Sequence, residues 1–153
     1  MHESFVEAAM SAYGDTVLRA ASSVTGNRAD AEDVFSDVFF ALYRQHKVFY
    51  SEQHLKAWLI RTAVNKAKNV TASTWSKRRD ELDENIPYHD VYADDEVLQA
   101  LQKLSKAERA AVYLHYYEGY SFQEIAPLLG MREGSVRSTA FRARAALKQL
   151  LPE

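Results

Sequence analysis

The 153-residue chain contains no cysteine, which excludes a disulfide framework, a thiolate nucleophile and a cysteine-ligated zinc. Five glycines and three prolines are few for this length, which disfavours turn-rich β architectures and points to helices joined by short loops. No apolar run approaches the roughly 18 residues that a spanning helix needs. Met1-His2-Glu3 also lacks the basic stretch and apolar run of a secretory signal. Neither secretion nor membrane insertion is expected, and the expected location is the cytoplasm. Equally absent are a G-x-G-x-x-G loop, a P-loop and a nucleophile elbow, and His2, His46, His54, His89 and His115 do not pair at ligand spacing. The sequence therefore carries no signal for an enzyme, a metal or a cofactor. The expected fold class is all-α.

The formal charge of -2 hides an uneven distribution. Residues 1–79 hold 11 bases and 8 acids, and residues 97–153 hold 8 and 5, so each segment is basic by +3. Between them, residues 80–96 hold 8 acids, from Asp80 to Glu96, and no base. This stretch contains Pro87 and no helical apolar repeat, and it reads as a linker. The organisation expected is two small helical domains, 1–80 and 97–153, joined by an acidic flexible linker over 81–96. From Leu55 to Arg79 there are seven bases (Lys56, Arg61, Lys66, Lys68, Lys77, Arg78, Arg79) and no acid, a segment suited either to a polyanion or to a solvated helix face.

Apolar spacing predicts a first helix over Glu3 to about Val24, stopped at Gly26-Asn27. A second is predicted from Asp30, as its cap, to about Gln45. Its stripe is Val34, Phe35, Val38, Phe39 and Leu42, with Phe40 and Tyr43 off the stripe. Ser51 can cap a third helix over about Glu52 to Val70, followed by a loop and a short basic helix from Trp75 to Glu81. Trp58 on the third helix reads as a core residue rather than a stacking platform. Beyond the linker, Val97 to Leu104 mark a short helix. Ser105-Lys106-Ala107-Glu108 and Ser121-Phe122-Gln123-Glu124 are capping boxes, the first opening a helix through about Tyr117 and the second a helix closed by Gly130. Pro127 predicts a kink or a shortened helix there. A last helix runs from about Glu133 to Leu151. A short helix, a tight glycine turn and a longer basic helix form a helix-turn-helix pattern.

On the last helix, Val136, Ala140, Ala143, Leu147 and Leu150 cluster on one side at about 100° per residue. Ser138, Phe141 and Arg142 then point outward, with Arg137, Arg144 and Lys148 along one flank. Arginine can donate two hydrogen bonds to guanine in the major groove, serine can bond a base or phosphate, and phenylalanine can touch a thymine methyl. On the third helix, Arg61, Thr62, Asn65, Lys68 and Asn69 form a polar arc in which cations can track phosphates while asparagine reads base edges.

Four motifs in order resemble the extracytoplasmic-function (ECF) sigma factors. They are Asp30-Ala31-Glu32-Asp33-Val34; His54 to Leu59 with Ala63-Val64-Asn65 and Asn69; Gly119-Tyr120-Ser121 with Glu124-Ile125-Ala126 and Leu129-Gly130; and Gly134 to Ser138 with Phe141 to Arg144. The resemblance covers nearly the whole chain. It implies a bacterial initiation factor that binds core RNA polymerase and places it on promoter DNA at the nucleoid, performing no bond-making chemistry itself. It implies polymerase docking through Asp33, Asp37 and Phe40. It implies minus-ten reading through Arg61, Asn65, Lys68 and Asn69, with Lys77, Arg78 and Arg79 on phosphates or duplex. It implies minus-thirty-five reading through Arg137, Ser138, Thr139, Phe141, Arg142 and Arg144. Ser36 and Thr139 depart from the residues often found at those places. An anti-sigma factor as partner is also implied.

Two other readings compete. LuxR-type regulators share the Glu-Ile-Ala, Leu-Gly and Val-Arg pattern, but they would need a sensor or receiver domain where residues 1–79 read as helical and basic. A sigma-like decoy for an inhibitor would keep the fold without needing the outward arginines.

Overall fold

A computed structural model of the chain describes residues 2–71, 100–101 and 103–150. Helix α1, His2–Thr25, lies between two others, α2, Arg28–Arg44, and α3, Glu52–Thr71. Its buried face is built largely of small residues, Ala9, Val17, Ala20 and Ala21, which let the neighbouring backbones approach closely. Into that face pack Val34, Val38, Phe39 and Leu42 from α2 and Leu55, Leu59, Ile60, Val64 and Ala67 from α3.

Helix α2 begins two residues earlier than Asp30. Asn27 is the cap, its side chain accepting from the Asp30 amide at 2.8 Å, while its own amide donates to the Asp30 carboxylate at 2.8 Å. Asp30 therefore sits inside the first turn, buried, where its charge complements the helix dipole. Ser51 does cap α3, accepting from the His54 amide at 3.0 Å. Trp58 is half-buried, edge-on to Phe49 at 5.7 Å, and packs against the core as its spacing predicts.

The second lobe contains α4, Lys106–Val112, α5, Phe122–Leu129, and α6, Glu133–Leu150. Both capping boxes form, at Ser105 with Glu108 and at Ser121 with Glu124. Helix α4 does not run on to Tyr117 as a regular helix, because residues Tyr113–Tyr117 widen into a π turn. Such turns are uncommon and often mark functional places. Here the turn lets Tyr113 donate from its hydroxyl to Glu118 at 2.5 Å while its ring stacks on Tyr117. Pro127 does not end α5, since the helix continues for two residues past it. The helix closes in a Schellman motif, with the Met131 amide bonded to the Ala126 carbonyl at 2.9 Å and Gly130 left-handed at φ 66°.

No strand is present among the described residues. The short basic helix expected over 75–81, the acidic segment and Val97-Leu98 lie outside the described residues.

The lobes share one continuous core, because α4 packs on α1 and α5 on α3. Arg109 of α4, buried, donates from Nε to the Ser23 carbonyl at 3.0 Å and so caps the end of α1 from the other lobe. Gly26, at φ 74°, turns the chain beside it, and a Cβ there would lie 2.6 Å from the Arg109 guanidinium. Gly130 has the same hand of backbone and open space around it. Both Gly→Ala substitutions thus meet the left-handed penalty of about 1–2 kcal/mol, and only Gly26→Ala also displaces a buried arginine. The expected result in urea denaturation is a larger loss of stability for Gly26→Ala than for Gly130→Ala. Equal losses would show that Arg109 moves aside freely.

Candidate nucleic-acid and polymerase interfaces

The outward face of α6 carries the predicted duplex readers. Phe141 is 74% exposed, an unusual state for a phenylalanine, and Ser138, Arg137, Arg142 and Arg144 are exposed around it. Three arginines are held in place by neighbours. Arg137 pairs with Glu133 at 3.3 Å and lies over the Phe122 ring at 5.6 Å. Arg142 donates to the Thr139 hydroxyl at 3.3 Å, and Arg144 lies over Tyr116 at 6.0 Å. Partial ordering of this kind lowers the entropy lost when a guanidinium meets a base edge.

Thr139 corrects the expectation drawn from the resemblance. It is 4% exposed and faces the core with Val136, Ala140 and Ala143. Its place three residues after Val136 and four before Ala143 puts it on the buried stripe, a signal already present in the spacing. Its hydroxyl accepts from Arg142, and the side chain does not face outward.

The turn that aims α6 depends on α5 starting cleanly. Glu124 is held below the usual carboxylate range first by the Ser121 backbone amide, which donates to it at 2.9 Å, and then by the Ser121 side chain. A depressed carboxyl stabilises the fold fully above its unfolded pKa and loses that contribution as pH falls through the lower folded value. Ser121→Ala is expected to cost about 1 kcal/mol at neutral pH. The loss should shrink on acidification, as read by urea melts at several pH values. A pH-independent loss would show that the hydroxyl plays no part in holding Glu124 ionised, since alanine keeps the backbone donor.

On α3, Arg61, Asn65 and Asn69 are exposed, as the polar arc requires. Lys68 is different, being half-buried with its ammonium donating to the Leu128 carbonyl of α5 at 2.6 Å. Arg61 and Asn65 line a cavity of about 460 Å³ whose opposite wall includes Tyr120, Glu124 and Pro127. Burial, then the Glu118 and Glu124 carboxylates, push the Tyr120 phenol up, and the Arg61 cation acts in the opposite direction. Lys77, Arg78 and Arg79 lie outside the described residues.

On α2, Asp33, Asp37 and Phe40 recur at steps of four and three and are all exposed, Phe40 at 57%. Arg44 lies over the Phe40 ring at 4.7 Å, which keeps an apolar anchor upright beside two carboxylates. Sequence reading missed the residues that join the lobes, Lys56 with Glu118 at 3.3 Å and Arg109 with Ser23. Nothing in their local spacing marks them, since each pair is distant in sequence.

Among the described residues no group of three or more His, Asp or Glu side chains is placed to hold a metal ion. None of their helices is long and apolar enough to cross a membrane.

A helix-turn-helix whose second helix turns an exposed cation-bearing face outward has the form of a DNA-binding protein. Family comparison narrows the class. Residues 9–78 match sigma-70 region 2, and residues 94–147 match sigma-70 region 4. The RNA polymerase sigma factor CarQ of Myxococcus xanthus is 30% identical over 99% of this chain and 95% of its own length. ECF RNA polymerase sigma factor SigM of Mycobacterium tuberculosis is 31% identical over 87% of this chain and 70% of its own. SigE of Mycolicibacterium smegmatis, also an ECF RNA polymerase sigma factor, is 31% identical over 91% of this chain, which spans 58% of that relative's length. The chain belongs to the ECF sigma factors of the sigma-70 family, which are non-catalytic transcription initiation factors. The fold agrees with a solved sigma factor, RpoE of Bartonella quintana in complex with the anti-sigma factor NepR. The TM-score is 0.61 at 22% identity, over 88% of this chain and 89% of that one.

Proposed function

We propose that the chain directs core RNA polymerase to promoters by splitting the work between its lobes. Residues 1–80 dock on the polymerase through Asp33, Asp37 and Phe40 and read the minus-ten element through Arg61, Asn65, Lys68 and Asn69. Lys77, Arg78 and Arg79 add phosphate contacts. Residues 81–96 are the acidic linker, and residues 97–153 read the minus-thirty-five element through Arg137, Ser138, Phe141, Arg142 and Arg144. No bond is made or broken by the chain in this reading, and it acts in the cytoplasm at the nucleoid. An anti-sigma factor is its regulatory partner, as in the complex of the structurally similar sigma factor.

The observation that carries this reading is the outward face of α6, where a 74% exposed phenylalanine stands among exposed arginines on the second helix of a helix-turn-helix. A solvated surface has no use for that phenylalanine, whereas a major groove offers it a thymine methyl. The test is run-off transcription with purified core polymerase and the DNA upstream of the chain's own operon. A discrete start appearing only with the protein is expected. Failure both to bind core and to initiate would transfer the chain to the decoy or regulator readings.

A further inference from the structure

The π turn carries a set of ring contacts for which neither docking nor base reading has accounted. Gly119, at φ 82°, reverses the chain just after the turn, and the Tyr120 amide bonds back to the Leu114 carbonyl at 2.9 Å. A second bond across the same reversal comes from His115, whose Nδ1 lies 2.7 Å from the Tyr120 carbonyl. A carbonyl oxygen only accepts, so Nδ1 carries the proton and donates. This bond fixes the orientation of the imidazole, and two further rings pack on it. Phe122 stacks on the imidazole with centroids 4.0 Å and planes 18° apart, and Tyr116 meets it in a T-shaped contact at 4.6 Å and 86°.

Each of those two rings supports an arginine of α6. Arg137 lies over Phe122 at 5.6 Å, and Arg144 lies over Tyr116 at 6.0 Å. Seven residues apart, close to two helical turns, the two guanidinium groups stand on one flank of the outward face. Tyr116 is 51% exposed, and a ring so exposed samples several rotamers unless a neighbour holds it. His115 is that neighbour, and it touches the ring under the other arginine as well.

We propose that His115 is a positioning residue for duplex reading, which aims Arg137 and Arg144 through Phe122 and Tyr116 and so sharpens the choice among upstream promoter elements without reading a base itself. This inference rests on the assignment of α6 to the upstream element made above. A guanidinium that wanders over several rotamers still meets phosphate, which carries no sequence, but it meets a base edge in the required geometry less often. Loss of the imidazole therefore acts on discrimination more than on general attraction to DNA.

The test uses holoenzyme assembled from purified core polymerase and the full chain. Competition between the native promoter and one with a scrambled upstream element gives the preference as a ratio of affinities. His115→Leu fills the space between Tyr116 and Phe122 but supplies neither the ring nor the bond to Tyr120. It is expected to lower the preference about five-fold, within the range of coupling between residues in contact, while core capture and affinity for the scrambled promoter stay unchanged. His115→Phe restores a ring and should lose less. In a chain already carrying Arg137→Ala and Arg144→Ala, where Ser138, Phe141 and Arg142 still supply a preference, adding His115→Leu should change it by about two-fold or less, the scatter of independent sites.

An undiminished preference in His115→Leu overturns the proposal. So does an equal loss with and without the two arginines, since His115 would then act on DNA by another route, and so does an equal loss for His115→Leu and His115→Phe. Weakening of native and scrambled promoters alike overturns it too. In each of these cases the reading role of α6 stands as long as Arg137→Ala with Arg144→Ala lowers the preference. A parent holoenzyme that shows no preference for the native element overturns the duplex-reading assignment and the role of His115 together.

Discussion

Asp37→Arg combined with Phe40→Ala is expected to abolish capture of core RNA polymerase while the helix content and denaturation midpoint stay near native. Both side chains are exposed on α2, away from the stripe of Val34, Val38 and Leu42 that builds the core. Surface changes of this kind alter stability by about 0.5 kcal/mol or less. Their effect on docking is of another size. An apolar anchor at the centre of an interface contributes about 2 kcal/mol or more. Reversing a charge at the same spot converts steering into repulsion and slows association. Arg44 reinforces the argument, since it lies against the Phe40 ring and would lose its platform together with the anchor. Pull-down of purified core by tagged protein, read beside circular dichroism, checks the result. Undiminished capture would remove α2 from the docking surface.

Arg142→Ala is expected to lower use of the upstream promoter element by about 1–3 kcal/mol, the range of one bidentate base contact. That corresponds to about a 5- to 150-fold loss in promoter occupancy. Core binding should be unchanged, because Arg142 lies on α6 and the docking residues on α2. The magnitude depends on the side chain being aimed before DNA arrives, and its bond to the Thr139 hydroxyl at 3.3 Å does this. Thr139→Val should therefore produce a smaller loss of the same kind, although Thr139 itself is buried. The comparison is run-off from the native promoter and from one with a scrambled upstream element. If Arg142→Ala lowers both equally, its role is not sequence reading.

Much of the fold was legible because the relevant forces act within a few residues. The two capping boxes, Ser51, the outward Phe40 and the outward face of α6 follow from hydrogen-bonding reach along the chain and from helical period. One misreading has an equally local cause. Asn27 and Asp30 are both good caps three residues apart, and spacing alone does not rank them. Pro127 removes a donor near the end of a short helix, where the Schellman closure on Ala126 and Pro127 carbonyls still forms. The π turn at Tyr113–Tyr117 answers to Glu118, whose partner Lys56 lies 62 positions earlier in the sequence.

The sequence by itself determined the helices, the faces they present and the residue types placed on them, since period, caps and charge are properties of neighbouring positions. Only the tertiary structure decided which of those faces meet. Arg109 on the end of α1, Glu118 on Lys56 and the Leu128 carbonyl on Lys68 each join positions far apart along the chain. The spacing that places a lysine on an outward face is the same whether a phosphate or a carbonyl from the other lobe receives it, and that choice is made by packing across the shared core.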